Sequence, residues 1–247
     1  PSAFEDADGH RQVRYSRSND GFVGHDASYR LFVCDSMSSS STPQNPICNG
    51  TKPLHSGYAP SVAFDDGNDV TVVAWKNMDR TDPAKDGQLL IAFGEGNTFS
   101  EPQNVGAIHT AIPPAITCKA GEAIGARDCI VAYVDADTSD NRIRTAAFQV
   151  IAGSKTYEAT RFYDGGTIEN ASFTRSTGSK IALFNQDGDF YLAYKAQTAG
   201  QPVKVLKNAF GGVGVYTWVK TLPFSVSGPS AVSNTSGGNN VIVTVEE

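Results

Sequence analysis

A sixteen-residue pattern of this 247-residue chain recurs. The segment Ser61–Lys76 returns as Lys180–Lys195, at a constant offset of 180 − 61 = 119 residues and without a gap. Ala63 meets Ala182, Ala74 meets Ala193, Trp75 meets Tyr194 and Lys76 meets Lys195. Looser copies run from Pro114 to Cys118 and on from Cys129 to Tyr133, and from Pro229 to Val232 and on from Asn240 to Val245. Each copy is a short run rich in β-branched and aromatic residues, a polar turn, and a second such run, which reads as a strand hairpin. A unit that recurs in this way cannot bury its faces alone and must stack on its neighbours.

A third strand follows the first two copies, at Gln88–Phe93 and Arg142–Phe148, and a short fourth comes near Gln103–Val105 and Glu158–Phe162. Four-stranded meanders that begin near residues 60, 114, 179 and 229 are the pattern of propeller blades. No window of eleven residues carries a capped 3.6-residue period, so little helix is expected. The sequence predicts an all-β chain, a β-propeller of four-stranded antiparallel blades. Four blades are expected, with five or six the alternative if the strands around 149–180 pair differently. The single domain 1–247 divides into blades at about 60–110, 111–165 and 170–222, and a last blade, 226–247, completed by residues 1–34. There Arg11–Gly21 reads as a third strand and Tyr29–Val33 as a fourth. Pairing of the N- and C-terminal strands closes the ring and removes exposed sheet edges. Residues 35–59 form a Ser-rich inserted loop, and long loops in compact domains are functional or disordered.

Pro60–Trp75, Gly87–Phe93 and Gly96–Pro102 together resemble a blade of the sialidase-type (Asp-box, or BNR) propeller superfamily. Val13–Phe22 resembles it too. Ser18, Asp20 and Phe22 follow the pattern Ser-x-Asp-x-Gly-x-Thr-Trp with the glycine one place early, and Gly96-x-Thr98-Phe99 follows its second half. The resemblance covers about half the chain and implies a blade type. Sialidase activity would require an Arg triad, a Tyr–Glu nucleophile pair, an Asp acid and an Arg-Ile-Pro stretch. No Arg-Ile-Pro occurs, and Arg14, Arg80, Arg142, Arg144 and Arg175 sit in no matching motif, so no catalytic residue carries over.

Lys and Arg number 20 and Asp and Glu 26, a formal charge of −6. This mild acidity argues against nucleic acid or anionic lipid as the main partner. No apolar run is long enough to span a bilayer as a helix. Four cysteines fall as two local pairs without CxxC spacing. Two disulfides are expected, Cys34–Cys48 and Cys118–Cys129, and with them a secreted or periplasmic setting. Four buried thiols in a cytosolic protein are the alternative. The opening Pro1-Ser2-Ala3 is that expected of a processed chain. The sequons at Asn49, Asn170 and Asn234 are no more frequent than chance in so Ser-, Thr- and Asn-rich a chain.

The blade map sorts the loops by face. The second-to-third-strand loops and the blade-to-blade connections share one rim, and loops on a rigid scaffold carry function. That rim gathers Glu5–His10, the 35–59 loop, Asn77–Asp82, His109, Asp135–Asn141 and residues 163–178. The candidate ligand-binding residues are Lys76, Asp79, Arg80, His109, Asp135, Asp137 and Lys195. No cofactor is expected, although Asp135, Asp137 and Asp140 offer clustered oxygens to calcium; a solvated acidic turn explains them as well. His10, His25, His55 and His109 lack zinc spacing, and no Gly-x-Ser-x-Gly marks a serine nucleophile. Trp75, Tyr133 and Tyr194 recur at one place in the repeat, which favours packing between blades over stacking on a sugar. The expected function is a secreted, non-catalytic recognition module for glycans or glycoconjugates. The alternatives are a secreted glycosidase using rim carboxylates and a protein-interaction domain of a larger secreted protein.

Overall fold

This computed structural model describes residues 3–5, 11–14, 22–25, 31–34, 45–46, 48–49, 52–53, 60–65, 70–79, 81–95, 98–118, 129–137, 143–153, 156–168, 181–186, 189–196, 202–209, 217–224, 230–233 and 241–244. Among them the secondary structure is β, with no helix. The first sheet is a meander of β1 (Ala3–Glu5), β2 (Arg11–Arg14), β3 (Phe22–His25), β4 (Leu31–Cys34) and β5 (Asn45–Pro46). The second contains β6 (Cys48–Asn49), β7 (Lys52–Pro53), β8 (Ser61–Asp65), β9 (Val70–Lys76), β10 (Gln88–Glu95), β11 (Thr98–Phe99) and β12 (Gln103–His109). Two four-stranded antiparallel meanders follow. One is β13 (Ala115–Cys118), β14 (Cys129–Val134), β15 (Ile143–Gly153) and β16 (Thr156–Ile168); the other is β17 (Ile181–Gln186), β18 (Asp189–Lys195), β19 (Pro202–Ala209) and β20 (Thr217–Phe224). A hairpin of β21 (Ser230–Ser233) and β22 (Val241–Thr244) is the fifth sheet.

The first strands of successive sheets pack side by side, β8 on β13, β13 on β17 and β17 on β21. This stacking buries both faces of the inner strands of the third sheet, which explains why they read as nearly continuous apolar runs. Every residue of β13 and of β14 is buried. One core lies between the second and third sheets, where Val72, Leu89, Ile91, Phe93 and Val105 meet Ile116, Val131, Tyr133 and Phe148. Another lies between the third and fourth, where Ile130, Ala132, Val134 and Ile143 meet Leu183, Phe190, Leu192 and Tyr194. Trp75, Tyr133 and Tyr194 are only 1%, 2% and 1% exposed, so the recurring aromatic is a packing residue.

The repeat is gapless in sequence but slips in structure. Ser61 pairs with Ala74, whereas Ala182, two places past the counterpart of Ser61, pairs with Ala193, the counterpart of Ala74. The first hairpin leaves residues 66–69 between its strands; the second leaves only Asp187-Gly188, a pair suited to a two-residue turn. An even slip keeps each side chain on its own face, so Ala74 and Trp75 and their counterparts Ala193 and Tyr194 are all buried.

The N-terminal strands meet a correction here. Among the described pairings, β21 and β22 pair only with each other, and none joins them to the N-terminal strands. Phe22–His25 supplies an extra strand that pairs with both β2 and β4, so the N-terminal segment forms its own meander. The 35–59 insertion, in turn, contains three two-residue strands; β5 pairs with β4, and β6 runs parallel to β11.

Cys118 and Cys129 face each other directly across β13 and β14 and form a disulfide, a bond kept in oxidising compartments. The expected Cys34–Cys48 pairing lies outside the residues whose side chains are described. No helix among the described residues is long and apolar enough to cross a membrane.

Candidate functional site

The loop from β9 to β10 is fixed by its own side chains. Asp79 Oδ1 accepts from Thr81 N at 2.9 Å, Thr81 Oγ1 at 2.7 Å and Asp82 N at 3.0 Å. These bonds, the Thr81 hydroxyl first, hold the Asp79 carboxyl below the ordinary carboxylate range. A depressed carboxylate stabilises the turn above its unfolded value, and that contribution fades as pH falls through the folded one. Ala84 N donates to Asp82 Oδ1 at 3.1 Å, and Asn77 Nδ2 donates to Lys85 O at 2.8 Å. Lys85 pairs with Asp82 at 3.0 Å, which raises the ammonium's pKa. Gly87 ends the loop at φ 79°, a conformation that costs glycine nothing. Its N–H donates to Asn77 O at 3.0 Å and its carbonyl accepts from Thr110 N at 2.8 Å.

A bulge delivers His109 to the same place. Across β10, Leu90 pairs with Asn104 and Gln88 with His109, so β12 inserts extra residues between the two pairs. Gly106 and Ala107 absorb this excursion at φ 59° and 58°. The left-handed region costs a residue with a Cβ about 1–2 kcal/mol. Replacing Ala107 with Gly is therefore expected to raise stability by about 1 kcal/mol, read from the midpoint of urea unfolding. An unchanged or lowered midpoint would show that the excursion holds no strain at that residue.

The connection to the next sheet and the β14–β15 turn complete the wall. Ala111 N donates to Val134 O at 2.8 Å and Ala136 N to His109 O at 3.0 Å. Asp135 is buried; its Oδ1 accepts from Asp137 N at 2.9 Å, and Arg144 Nε lies 3.0 Å from its Oδ2. Asp135 thus shapes the turn that presents Asp137. Asp137 Oδ2 lies 3.3 Å from His109 Nδ1, and His109 Nε2 lies 3.1 Å from Ala84 O. Lys76 Nζ donates to Ala111 O at 3.1 Å.

These segments surround an open cavity of about 460 Å³ between the second and third sheets, lined among others by Lys76, Asp86, His109 and Asp137. Among the described residues, its remaining wall is backbone and small side chains. Three expected residues, Lys76, His109 and Asp137, come together here from three separate segments. Asp135 acts from behind through the turn. Asp79 shapes the neighbouring loop and does not line the cavity. Lys195 ends β18 in another sheet. Arg80 and Asp140 lie outside the described residues. Asp135 turns to Arg144 and Asp137 to His109, and among the described residues no group of three His, Cys, Asp or Glu stands ready for a metal ion. Asp86 was not anticipated; its loop was legible as polar, but its approach to Asp137 depends on how two sheets meet.

No family model matches the chain, and no curated protein matches it by sequence. Solved structures do resemble it. An exo-β-1,3-galactanase from Phanerochaete chrysosporium superposes over 92% of this chain at 12% identity, with a TM-score of 0.53. A fucose-recognising lectin from Aleuria aurantia, a six-bladed β-propeller, superposes over 91% at 12% identity, with a TM-score of 0.56. An α-L-arabinofuranosidase from Fusarium graminearum superposes over 98% at 11% identity, with a TM-score of 0.50. The chain spans 53% of the galactanase, 67% of the lectin and 73% of the arabinofuranosidase. At these identities the likeness concerns the fold: antiparallel four-stranded sheets arranged as in propeller proteins. The stretches that carry the Asp-box resemblance, Ser18–Gly21 and Gly96-Asn97, lie outside the described residues.

Proposed function

We propose that this chain is a secreted glycan-recognition module that takes its ligand in the cavity between the second and third sheets. The observation that carries this reading is the convergence of Lys76, His109 and Asp137 on one open cavity. An ammonium donor and a carboxylate acceptor in one cavity suit the hydroxyls of a sugar, each of which both donates and accepts. The propeller lectin among the similar structures supports the reading. A glycan array probed with the whole chain is expected to show selective binding that Asp137→Ala weakens at least about tenfold, the loss of one charge-assisted hydrogen bond. A blank array would overturn it.

A second reading rests on its own observation. Asp86 and Asp137 line the same cavity, and hydrolysis of a glycosidic bond needs two carboxylates across it. The galactanase and the arabinofuranosidase among the similar structures lend this support. Sugar release from β-1,3-galactan or arabinan that disappears in both Asp86→Asn and Asp137→Asn would establish catalysis. No release, with array binding intact, would leave the recognition reading.

A further inference from the structure

We propose that His109 is a proton-operated latch between the two loops that wall the cavity. Its ring stands between two oxygens, Asp137 Oδ2 at 3.3 Å from Nδ1 and Ala84 O at 3.1 Å from Nε2. A backbone carbonyl accepts only, and an ionised carboxylate accepts only. A neutral imidazole carries one N–H and serves one of them; its other nitrogen then presents a lone pair to an oxygen. The imidazolium carries two and serves both. One oxygen belongs to the β9–β10 loop and the other to the β14–β15 turn, so the doubly protonated ring joins two sheets at the cavity mouth. Loss of one proton removes one of the two side-chain ties, while the backbone bonds from Ala136 N to His109 O and from Thr110 N to Gly87 O keep the walls in place.

Other polar partners agree with a switch at this ring. Ala84 O also accepts from Gln88 Nε2 at 3.2 Å, so the loop keeps an anchor when the ring lets go. Asp135 and Arg144 hold the base of the turn that carries Asp137. The charged groups around the ring are Asp137 and Asp135 from the turn, Arg144 from β15, Lys76 from β9, and Asp79, Asp82, Lys85 and Asp86 from the β9–β10 loop. Strand β16, which also runs beside β12, carries Glu158, Arg161 and Asp164 in its sequence. The ring's side chain is 29% exposed and that of Asp137 61%, so protons reach the pair from solvent. Histidine is the side chain whose ordinary titration lies in the physiological range.

The latch is independent of what the cavity holds, and its test uses no ligand. In a two-dimensional NMR titration of the whole chain from pH 5 to 8, both ring nitrogens of His109 are expected to carry protons at the acid end. The amides of Ala84–Gly87 and of Ala136–Asp137 are expected to shift together with the ring's own midpoint. In His109→Gln both sets lose that shared transition. In Asp137→Ala the neutral ring can still donate from Nε2 to Ala84 O, so the Ala84–Gly87 amides stop following the ring. A ring that stays singly protonated across the range would overturn the proposal. So would a loop that titrates alone, or loops that keep the transition in His109→Gln. Failure of the latch leaves glycan binding standing, and a blank glycan array leaves the latch standing.

Discussion

Replacing Phe93 with Ala is expected to cost about 4 kcal/mol of unfolding free energy. Phe93 is fully buried on β10, opposite Val72 of β9. Its ring centroid lies 6.1 Å from that of Phe148 on β15, at 69°, an edge-to-face contact between adjacent sheets. Such pairs add about 0.5–1.5 kcal/mol to the burial of the rings. Truncation removes the ring from a core held rigid by hydrogen-bonded strands on both sides, so the hole collapses little and the penalty falls within the roughly 3–5 kcal/mol range for Phe→Ala. Phe148→Ala should cost a similar amount, and the double variant less than the sum, because the second change no longer breaks the ring contact. Urea unfolding followed by tryptophan fluorescence reads all three. A loss under about 1 kcal/mol for Phe93→Ala would show that the second and third sheets do not share this core.

Removing the disulfide with Cys118→Ala and Cys129→Ala is expected to cost about 2.5 kcal/mol. The bond closes a loop of sequence separation 11, and in the chain-entropy account a closure of this length limits the unfolded chain by a little under 3 kcal/mol. The folded side should barely change. Cys118 and Cys129 already pair across the hairpin, and the end of β13 is tied to β17 by Asn185 Nδ2, which donates to Thr117 Oγ1 at 3.1 Å and to the Cys118 carbonyl. For a chain of this size the change corresponds to a fall in Tm of about 5–10 °C. Reduction of the wild-type chain should reproduce it. If the variant melts with the wild type, the hairpin remains ordered when unfolded; if it fails to fold, the bond guides assembly as well as stabilising its product.

The hairpins of the repeat, the strands that follow them, the disulfide between Cys118 and Cys129 and the burial of Trp75, Tyr133 and Tyr194 were legible in the sequence. The strands, hairpins and disulfide are local: β-branched and aromatic runs punctuated by Asp-Gly and Asn-Asp turns specify strands without help from distant residues, and the aromatic's recurrence at one place in the repeat marked it for packing between sheets. The extra N-terminal strand was missed because Phe22–His25, with glycine at its centre, carries too few apolar residues to stand out from the turns around it. The two-residue slip between the repeat copies was invisible because an alignment without gaps hides a difference in turn length.

The candidate site divides in the same way. That Lys76, His109 and Asp137 belong to one rim follows from strand order alone, since successive loops of a meander alternate between the two ends of a sheet. That they line one cavity does not. The φ of 58° at Ala107, which lets β12 carry His109 to the rim, and the buried Asp135, which sets the angle of Asp137, depend on how the second sheet meets the third. Asp86 joins them only because Asp79 and Asp82 fold its loop over the junction. The sequence by itself determined strands, turns and their alternation, because those are settled within a few residues of backbone. Only the tertiary structure decided which of the rim's charges share a cavity and which are consumed in holding it, because that is a matter of distances between segments that meet across a packed interface.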